Sequence, residues 1–231
     1  LRGLAGNDTL FGEDGNDKLV LRTGRSSFSL NCLPTDDFPV MAEGEFSHTF
    51  NLSGGELRRL IDKTRFAIST EETRYYLNGI YLHAVDTADG AALRAVATDG
   101  HRLAMIERPN AGAEFKEGVI IHKKALGELV KLLSETGEDV EIYLDENHVI
   151  FTLGTIELSA RLIDGDFPKY RQVIPEDNNC RIITDRDNLL RALRRVSLLS
   201  NETKMVKFVF TPGQLILTTN GSDAGEAEEI L

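Results

Sequence analysis

The chain is poor in cysteine, with only Cys32 and Cys180 in 231 residues. They stand far apart and fit no metal-binding spacing, so two isolated reduced thiols are expected in place of a disulfide framework or thiol chemistry. Long apolar runs are also missing. Nothing approaches the roughly 18 consecutive apolar residues of a membrane span, and the first residues lack the basic and apolar regions of a secretory signal. No membrane association is therefore expected, and the expected compartment is the cytoplasm. Positive charge is scarce too: 26 Lys and Arg against 37 Asp and Glu leave a net charge of -11. That balance argues against a generally basic nucleic-acid binder. Screening over roughly 8 to 10 Å nevertheless allows one basic face on an acidic protein, so the placement of the cations matters more than the total.

What is present is a pattern that recurs. Phe46 to Leu52 alternates like a strand, and Ser53-Gly54-Gly55-Glu56 is a capping box opening a helix with Leu57, Leu60, Ile61 and Thr64 on one face. Strands are expected at Tyr75 to Val85, Leu93 to Thr98 and Arg102 to Glu107. The order returns with Val119 to Ile121, a helix from Lys123 carrying Leu126, Leu129, Val130 and Leu133, and strands Val140 to Leu144, His148 to Leu153 and Ile156 to Leu162. A third copy is expected from Arg181-Ile182-Ile183 through a helix Arg186 to Leu199 and strands Met205 to Phe210, Gln214 to Thr219 and Glu226 to Leu231. Connections as short as Thr211-Pro212-Gly213 require antiparallel neighbours. The predicted fold class is therefore α+β: repeated β-α-β-β-β units with helices on one face of antiparallel sheets.

Each helix must turn its apolar stripe to a sheet, which leaves Arg58, Arg59 and Lys63 on the outward face of the first, Lys123, Lys124 and Lys131 on the second, and Arg191, Arg194 and Arg195 on the third. The acidic residues fall in loops and strands, as at Glu71-Glu72, Glu138-Asp139 and Glu226 to Glu229. An exposed basic helix face can simply serve solubility. Repeated three times, it also suits phosphates, which attract cations without reading sequence.

Thr98-Asp99-Gly100-His101-Arg102-Leu103 invites a catalytic reading with Asp99 and His101 as acid and base. No nucleophile motif and no Gly-rich phosphate loop with a lysine accompany it, and Asp99-Gly100 reads as a two-residue hairpin turn. Asp164-Gly165-Asp166-Phe167-Pro168 is a turn by composition, with nothing to complete a metal site around its carboxylates.

Six ordered segments together resemble the bacterial sliding clamp family, the beta subunit of DNA polymerase III. They are Gly24 to Leu30 with Asp37-Phe38-Pro39; Arg74 to Gly79; Ala97 to Ala104; Asp164 to Tyr170; Leu198 to Glu202; and Glu226 to Leu231. The resemblance implies the DNA clamp fold, with residues 21–45 as the end of a first domain, 46–178 as the middle domain and 179–231 as the first half of a third. It implies a non-catalytic processivity factor, present as a partial copy, that encircles duplex DNA and tethers the polymerase III alpha subunit, the clamp loader and other clamp-motif proteins. Arg74, Leu77, Thr98, His101, Arg102, Leu103, Pro168 and Val173 correspond to the peptide-binding groove. Since clamps complete that groove with a later part of the third domain, half a groove with weaker binding is expected. Arg58, Arg59, Lys123, Lys124, Arg191, Arg194 and Arg195 would face DNA. Tyr75 and Tyr76, at the rim, either anchor the core or touch DNA. Phe28 and Leu30, on an edge strand, and Leu198 and Leu199 correspond to the two sides of the homodimer interface.

Residues 3 to 20 obey another rule. Gly3 to Phe11 and Gly12 to Val20 are two nonapeptides in register, resembling the calcium-binding repeats of RTX proteins. The resemblance implies a weak Ca²⁺ site, with Asp8 and Asp17 as candidates, in an otherwise cofactor-free chain. An Asp-Gly hairpin before a strand Lys18 to Thr23 is the plainer reading. The alternative function is thus a secreted calcium-binding protein fused to clamp sequence.

Overall fold

The computed structural model describes residues 18–23, 25–31, 46–88, 90–109, 111–113, 115, 117–136, 139–200, 205–221 and 225–231. Asp8 and Asp17 lie outside the described residues. The fold divides into two compact units, one reaching Pro168 and the other running from Lys169 to Leu231. The division falls at Pro168, not at the Asn178 expected from the sequence.

In the first unit β1 (Lys18–Thr23) and β2 (Ser26–Asn31) form an antiparallel ribbon. After it come β3 (His48–Ser53), α1 (Gly54–Asp62), β4 (Gly79–Thr87), β5 (Gly90–Thr98) and β6 (Leu103–Pro109), then β7 (Val119–His122), α2 (Lys123–Thr136), β8 (Asp139–Leu144), β9 (His148–Leu153) and β10 (Ile156–Arg161). The predicted repeat is present, but the repeats trade their first strands. β3 pairs with β8 in the sheet β10-β9-β8-β3, and β7 pairs with β4 in the sheet β6-β5-β4-β7, all antiparallel.

Local chemistry explains the helices. The Ser53 hydroxyl accepts the Glu56 N–H at 3.3 Å, as the capping box requires. At the other end the buried Thr64 hydroxyl donates to the Leu60 carbonyl at 2.7 Å. On α2 the His122 ring takes the cap position, its Nδ1 accepting the Lys124 N–H at 3.1 Å. Leu57, Leu60 and Ile61 of α1, Leu126, Leu129, Val130 and Leu133 of α2, and Phe50, Leu52, Ile142 and Phe151 of the sheets fill a single core. The two helices lie against each other.

One exchange seam leaves no room for a side chain. A β-carbon on Gly79 would stand 2.3 Å from the Ile121 carbonyl oxygen on the paired β7. Beyond β10, the Leu162 N–H donates to the Asn147 carbonyl at 2.7 Å and the Ile163 N–H to the Ile120 carbonyl at 2.9 Å. Phe167 then stacks on Tyr81, centroids 4.7 Å apart and planes within 5°. The turn read at Asp164 to Pro168 is thereby fastened to the outer side of β4.

β4 starts well after its expected first residue. Tyr75 to Leu77 lie in 3-10 turns spanning Glu72–Leu77, and β4 begins only at Gly79. Buried Ser69 and Asn78 hold this segment away from the sheet: the Ser69 N–H donates to the Leu77 carbonyl, and the Asn78 side chain donates to the Glu71 carbonyl. Asp99-Gly100 is part of a four-residue loop, not a two-residue turn, because Thr98 pairs with Leu103.

The second unit contains α3 (Arg186–Val196), β11 (Lys207–Thr211), β12 (Gln214–Gly221) and β13 (Gly225–Ile230) in one antiparallel sheet, with Ala192, Val196, Leu215 and Leu217 at its core. Asp185 caps α3 by accepting the Asn188 N–H at 2.7 Å. The helix stops at Val196 and tightens into a 3-10 turn Ser197–Leu199. Arg181-Ile182-Ile183, expected as a strand, is irregular, with Ile183 85% exposed. In the first unit such a leading strand pairs only with a neighbouring repeat's sheet, and the described residues of this unit contain one sheet alone.

Candidate peptide groove and nucleic-acid face

Arg74 joins two of the segments of the first unit that carry expected groove residues, 74–77 and 98–103. It sits at a kink between two 3-10 turns (φ -108°, ψ 54°), and its Nη1 lies 2.6 Å from where a β-carbon on Gly100 would stand. Its guanidinium therefore covers the loop between β5 and β6. Glu71 grips the other side, taking Nε and Nη2 at 2.8 Å each. This fork raises the Arg74 pKa above its ordinary value.

The loop is held by side-chain to backbone bonds. Asp99 Oδ1 accepts the N–H groups of His101 and Arg102 at 2.9 and 3.0 Å, while Oδ2 takes Arg102 Nε at 3.0 Å. These bonds, the His101 N–H foremost, hold the Asp99 carboxyl below the usual carboxylate range. Thr98 donates to the Arg102 carbonyl at 2.8 Å and accepts the Gly100 N–H at 3.1 Å. Asp99 thus builds the turn, which removes the basis for an Asp99 and His101 acid-base pair.

Of the remaining groove residues, Leu77 is buried and Leu103 half-buried, and His101 and Pro168 are exposed. Val173 belongs to the second unit, in the 3-10 turn Tyr170–Val173, and is exposed. Two neighbours were not among the residues expected from the sequence. Phe66, 58% exposed, lies under the Arg102 guanidinium at 5.8 Å, and Glu71 holds Arg74. A partner three residues away on a 3-10 turn was the available signal for Glu71. Nothing in the sequence signals Phe66.

The helix cations fall into two sets. Arg59, Lys63, Lys124, Lys131, Arg191 and Arg194 are exposed and Lys123 is half-buried, all opposite the buried stripes. Arg58 is exposed but pairs with Asp62 at 3.4 Å, and Lys131 with Glu128 at 2.7 Å. Arg195 departs from the outward reading: it forks onto Glu229 of β13, with Nε to Oε2 at 3.0 Å. Glu229 belongs to the acidic strand, and Arg195, in the last turn of α3, can reach the neighbouring sheet. Lys123 and Lys124 occupy the first turn of α2, where the helix dipole disfavours cations and favours anions.

Tyr75 is 54% exposed and meets Tyr76 edge-on at 5.8 Å, both in the 3-10 segment and not at a strand start. On β2 Phe28 and Leu30 are 55% and 49% exposed. Leu198 is exposed and Leu199 half-buried. Cys180 is an exposed free thiol. Among the described residues no three His, Cys, Asp or Glu side chains converge as a metal site, and no helix is long and apolar enough to cross a membrane.

Comparison with known sequences places this geometry. The family model for the DNA polymerase III beta subunit, central domain, matches residues 51–169, more than half of the chain. The chain belongs to the DNA polymerase III beta subunit family. The model of that family's C-terminal domain matches residues 171–231, so the break between the two family models falls along the chain beside the division after Pro168. The beta sliding clamp of Caulobacter vibrioides is 45% identical over 227 residues, covering 97% of this chain and 61% of that protein. A sliding clamp from Bartonella birtlesii, solved bound to griselimycin, superposes with a TM-score of 0.84 at 46% identity over 93% of this chain and 58% of that one. A beta sliding clamp from Caulobacter crescentus gives a TM-score of 0.87 at 44% identity over 97% of this chain and 60% of that one. The chain therefore spans about three fifths of its clamp relatives, and the clamp fold expected from the sequence is the fold found. The RTX calcium-binding nonapeptide repeat model matches residues 1–26. The clamp alignment, at 97% of the chain, overlaps that stretch.

Proposed function

We propose that this chain acts as a sliding-clamp processivity factor in the cytoplasm, a non-enzymatic protein that holds duplex DNA and tethers replication partners. The observation that carries the reading is the pair α1 and α2, packed side by side with Leu57, Leu60, Leu129 and Leu133 turned to the core and Arg59, Lys63, Lys124 and Lys131 exposed. Such a face attracts phosphates without fixing a base register, which lets the protein slide. The DNA-facing set is Arg58, Arg59, Lys123, Lys124, Arg191 and Arg194, together with Tyr75 and Tyr76, while Arg195 is engaged by Glu229. Without ring closure, non-specific binding of about 10⁻⁴ M or weaker is expected at physiological salt. Fluorescence anisotropy with linear and circular duplexes across a salt series tests this. Reversing Arg59 and Lys124 should abolish binding; sequence preference, or binding unaffected by the reversals, would place DNA on another surface. Retention on circular but not linear DNA would mark a closed ring, formed as a homodimer through Phe28, Leu30, Leu198 and Leu199.

The loop covered by Arg74 serves as the partner groove, receiving clamp-motif peptides of the polymerase III alpha subunit and the clamp loader. Leu103→Ala should cost about 1 to 3 kcal/mol of peptide binding. Unchanged affinity would remove the site.

A second reading attaches to residues 1–26 alone: the repeat match favours weak Ca²⁺ binding through Asp8 and Asp17. Calorimetric titration of the chain with Ca²⁺, repeated on an Asp8→Asn, Asp17→Asn variant, tests it. Heat that survives the substitutions excludes these ligands.

A further inference from the structure

The two arginines beside the groove each carry an internal carboxylate, and the carboxylates do different work. Asp99 spends its oxygens on the His101 and Arg102 N–H groups and on Arg102 Nε, so it is part of the loop. Glu71 is different. Its backbone is pinned, the N–H donating to the buried Ser69 hydroxyl at 3.2 Å and the carbonyl accepting from the Asn78 side chain at 3.2 Å. Its carboxylate meets only Arg74 among the bonds described, through the fork at 2.8 Å. The main chain thus presents this carboxylate to an arginine that rests on Gly100, and the fold does not otherwise use it.

The pair is half-exposed, with side-chain exposures of 35% for Arg74 and 51% for Glu71, so it is weak and open to exchange. A guanidinium edge that holds one carboxylate in a two-point fork will hold another in the same way. We propose that Glu71 is a built-in competitor: it occupies the Arg74 fork that the carboxylate of an incoming peptide, from an acidic side chain or a free C-terminus, would take. This rests on the groove reading given above. Glu71 then sets specificity as well as affinity, because a peptide without a carboxylate gains nothing by displacing it.

The test uses the 231-residue chain and two labelled peptides with the same two apolar anchors, one ending in a free carboxylate and its twin ending in an amide. Affinities of the parent, Glu71→Gln, Glu71→Ala and Leu103→Ala are measured by anisotropy at low and high salt. Both Glu71 variants should tighten the carboxylate peptide about threefold to fivefold, the range a surface ion pair supports. The amidated twin should be unchanged, and the gain should shrink with salt. Equal affinities of parent and Glu71 variants for the carboxylate peptide, with Leu103→Ala weakening both peptides, would overturn the competitor and leave the groove standing. Binding unaltered by Leu103→Ala would overturn the groove reading and the competitor with it.

Discussion

In the first unit β3 and β7 each leave their own repeat to complete the other repeat's sheet, whereas in the second unit residues 181–183 join no strand and β11 remains an edge. The difference shows in burial. Ile80 and Leu82 of β4, and Val140 and Ile142 of β8, are at most 4% exposed; Phe208 and Phe210 of β11 are 39% and 52% exposed. Yet Phe208 and Phe210 pair with the buried Leu217 and Leu215 and so share the face that α3 covers. Here α3 packs on β12 and β13 and leaves the β11 aromatics largely open. The closed pair of repeats, not the repeat, is the unit that buries its strands.

Deleting one aromatic ring from each sheet should separate the two units most strongly. Phe151→Ala should cost about 3 to 5 kcal/mol in chemical denaturation, because Phe151 is fully buried in the shared core. Phe210→Ala should cost about 1 kcal/mol, since half of its surface already faces water. Similar losses for both would mean that β11 is covered in solution. A smaller effect comes from the exchange seam. Gly79→Ala drives a β-carbon into the Ile121 carbonyl and should cost about 1 to 3 kcal/mol; an unchanged unfolding midpoint would show that β4 and β7 can part without loss. Native-state hydrogen exchange should sharpen the contrast by slowing β8 and β9 amides well beyond those of β11. Equal protection in the two units would contradict it.

The smallest effect is on pH. Burial, with Lys123 and Lys124 beside it, holds the His122 pKa below its ordinary 6.5. A lowered pKa in the fold means that the unfolded chain binds the proton more readily, so this contribution is complete above pH 6.5 and fades as the pH falls below it. Thermal unfolding between pH 8 and 5.5 should show that slope in the parent and lose it in His122→Asn, which keeps a capping acceptor without the titration. An identical slope in both proteins would assign the dependence elsewhere.

Most of this architecture could be read from the residues, because each repeat states its pattern locally: a capping box at Ser53, apolar stripes on three helices, and short turns such as Pro212-Gly213, where Gly213 adopts φ +79°. The failures share a cause. Tyr75 to Leu77 alternate like a strand, but Ser69 and Asn78 bond that backbone first. Arg181 to Ile183 have strand character, but among the described residues of this unit no second repeat's sheet is there to receive them. Strand pairing is decided by distant partners that periodicity cannot see. That Arg74 and the 98–103 loop form one local cluster could be anticipated because those residues lie in two short stretches. Glu71 and Phe66 could not, since their role follows from where Arg74 and Arg102 come to rest.

The strand exchange also sets a timetable for synthesis. The Ser47 hydroxyl reaches a partner, the Leu144 carbonyl, that lies 97 residues downstream. At roughly 5 to 20 residues per second, β3 and α1 leave the ribosome about 5 to 20 s before β8 exists to receive them. During that interval Phe50 and Leu52 face solvent or a chaperone, while β4, β5 and β6 can already zip by neighbouring hairpins. The sheet whose strands come from the two ends of the middle domain is completed last, and β3 has no partner strand until residue 144 has emerged.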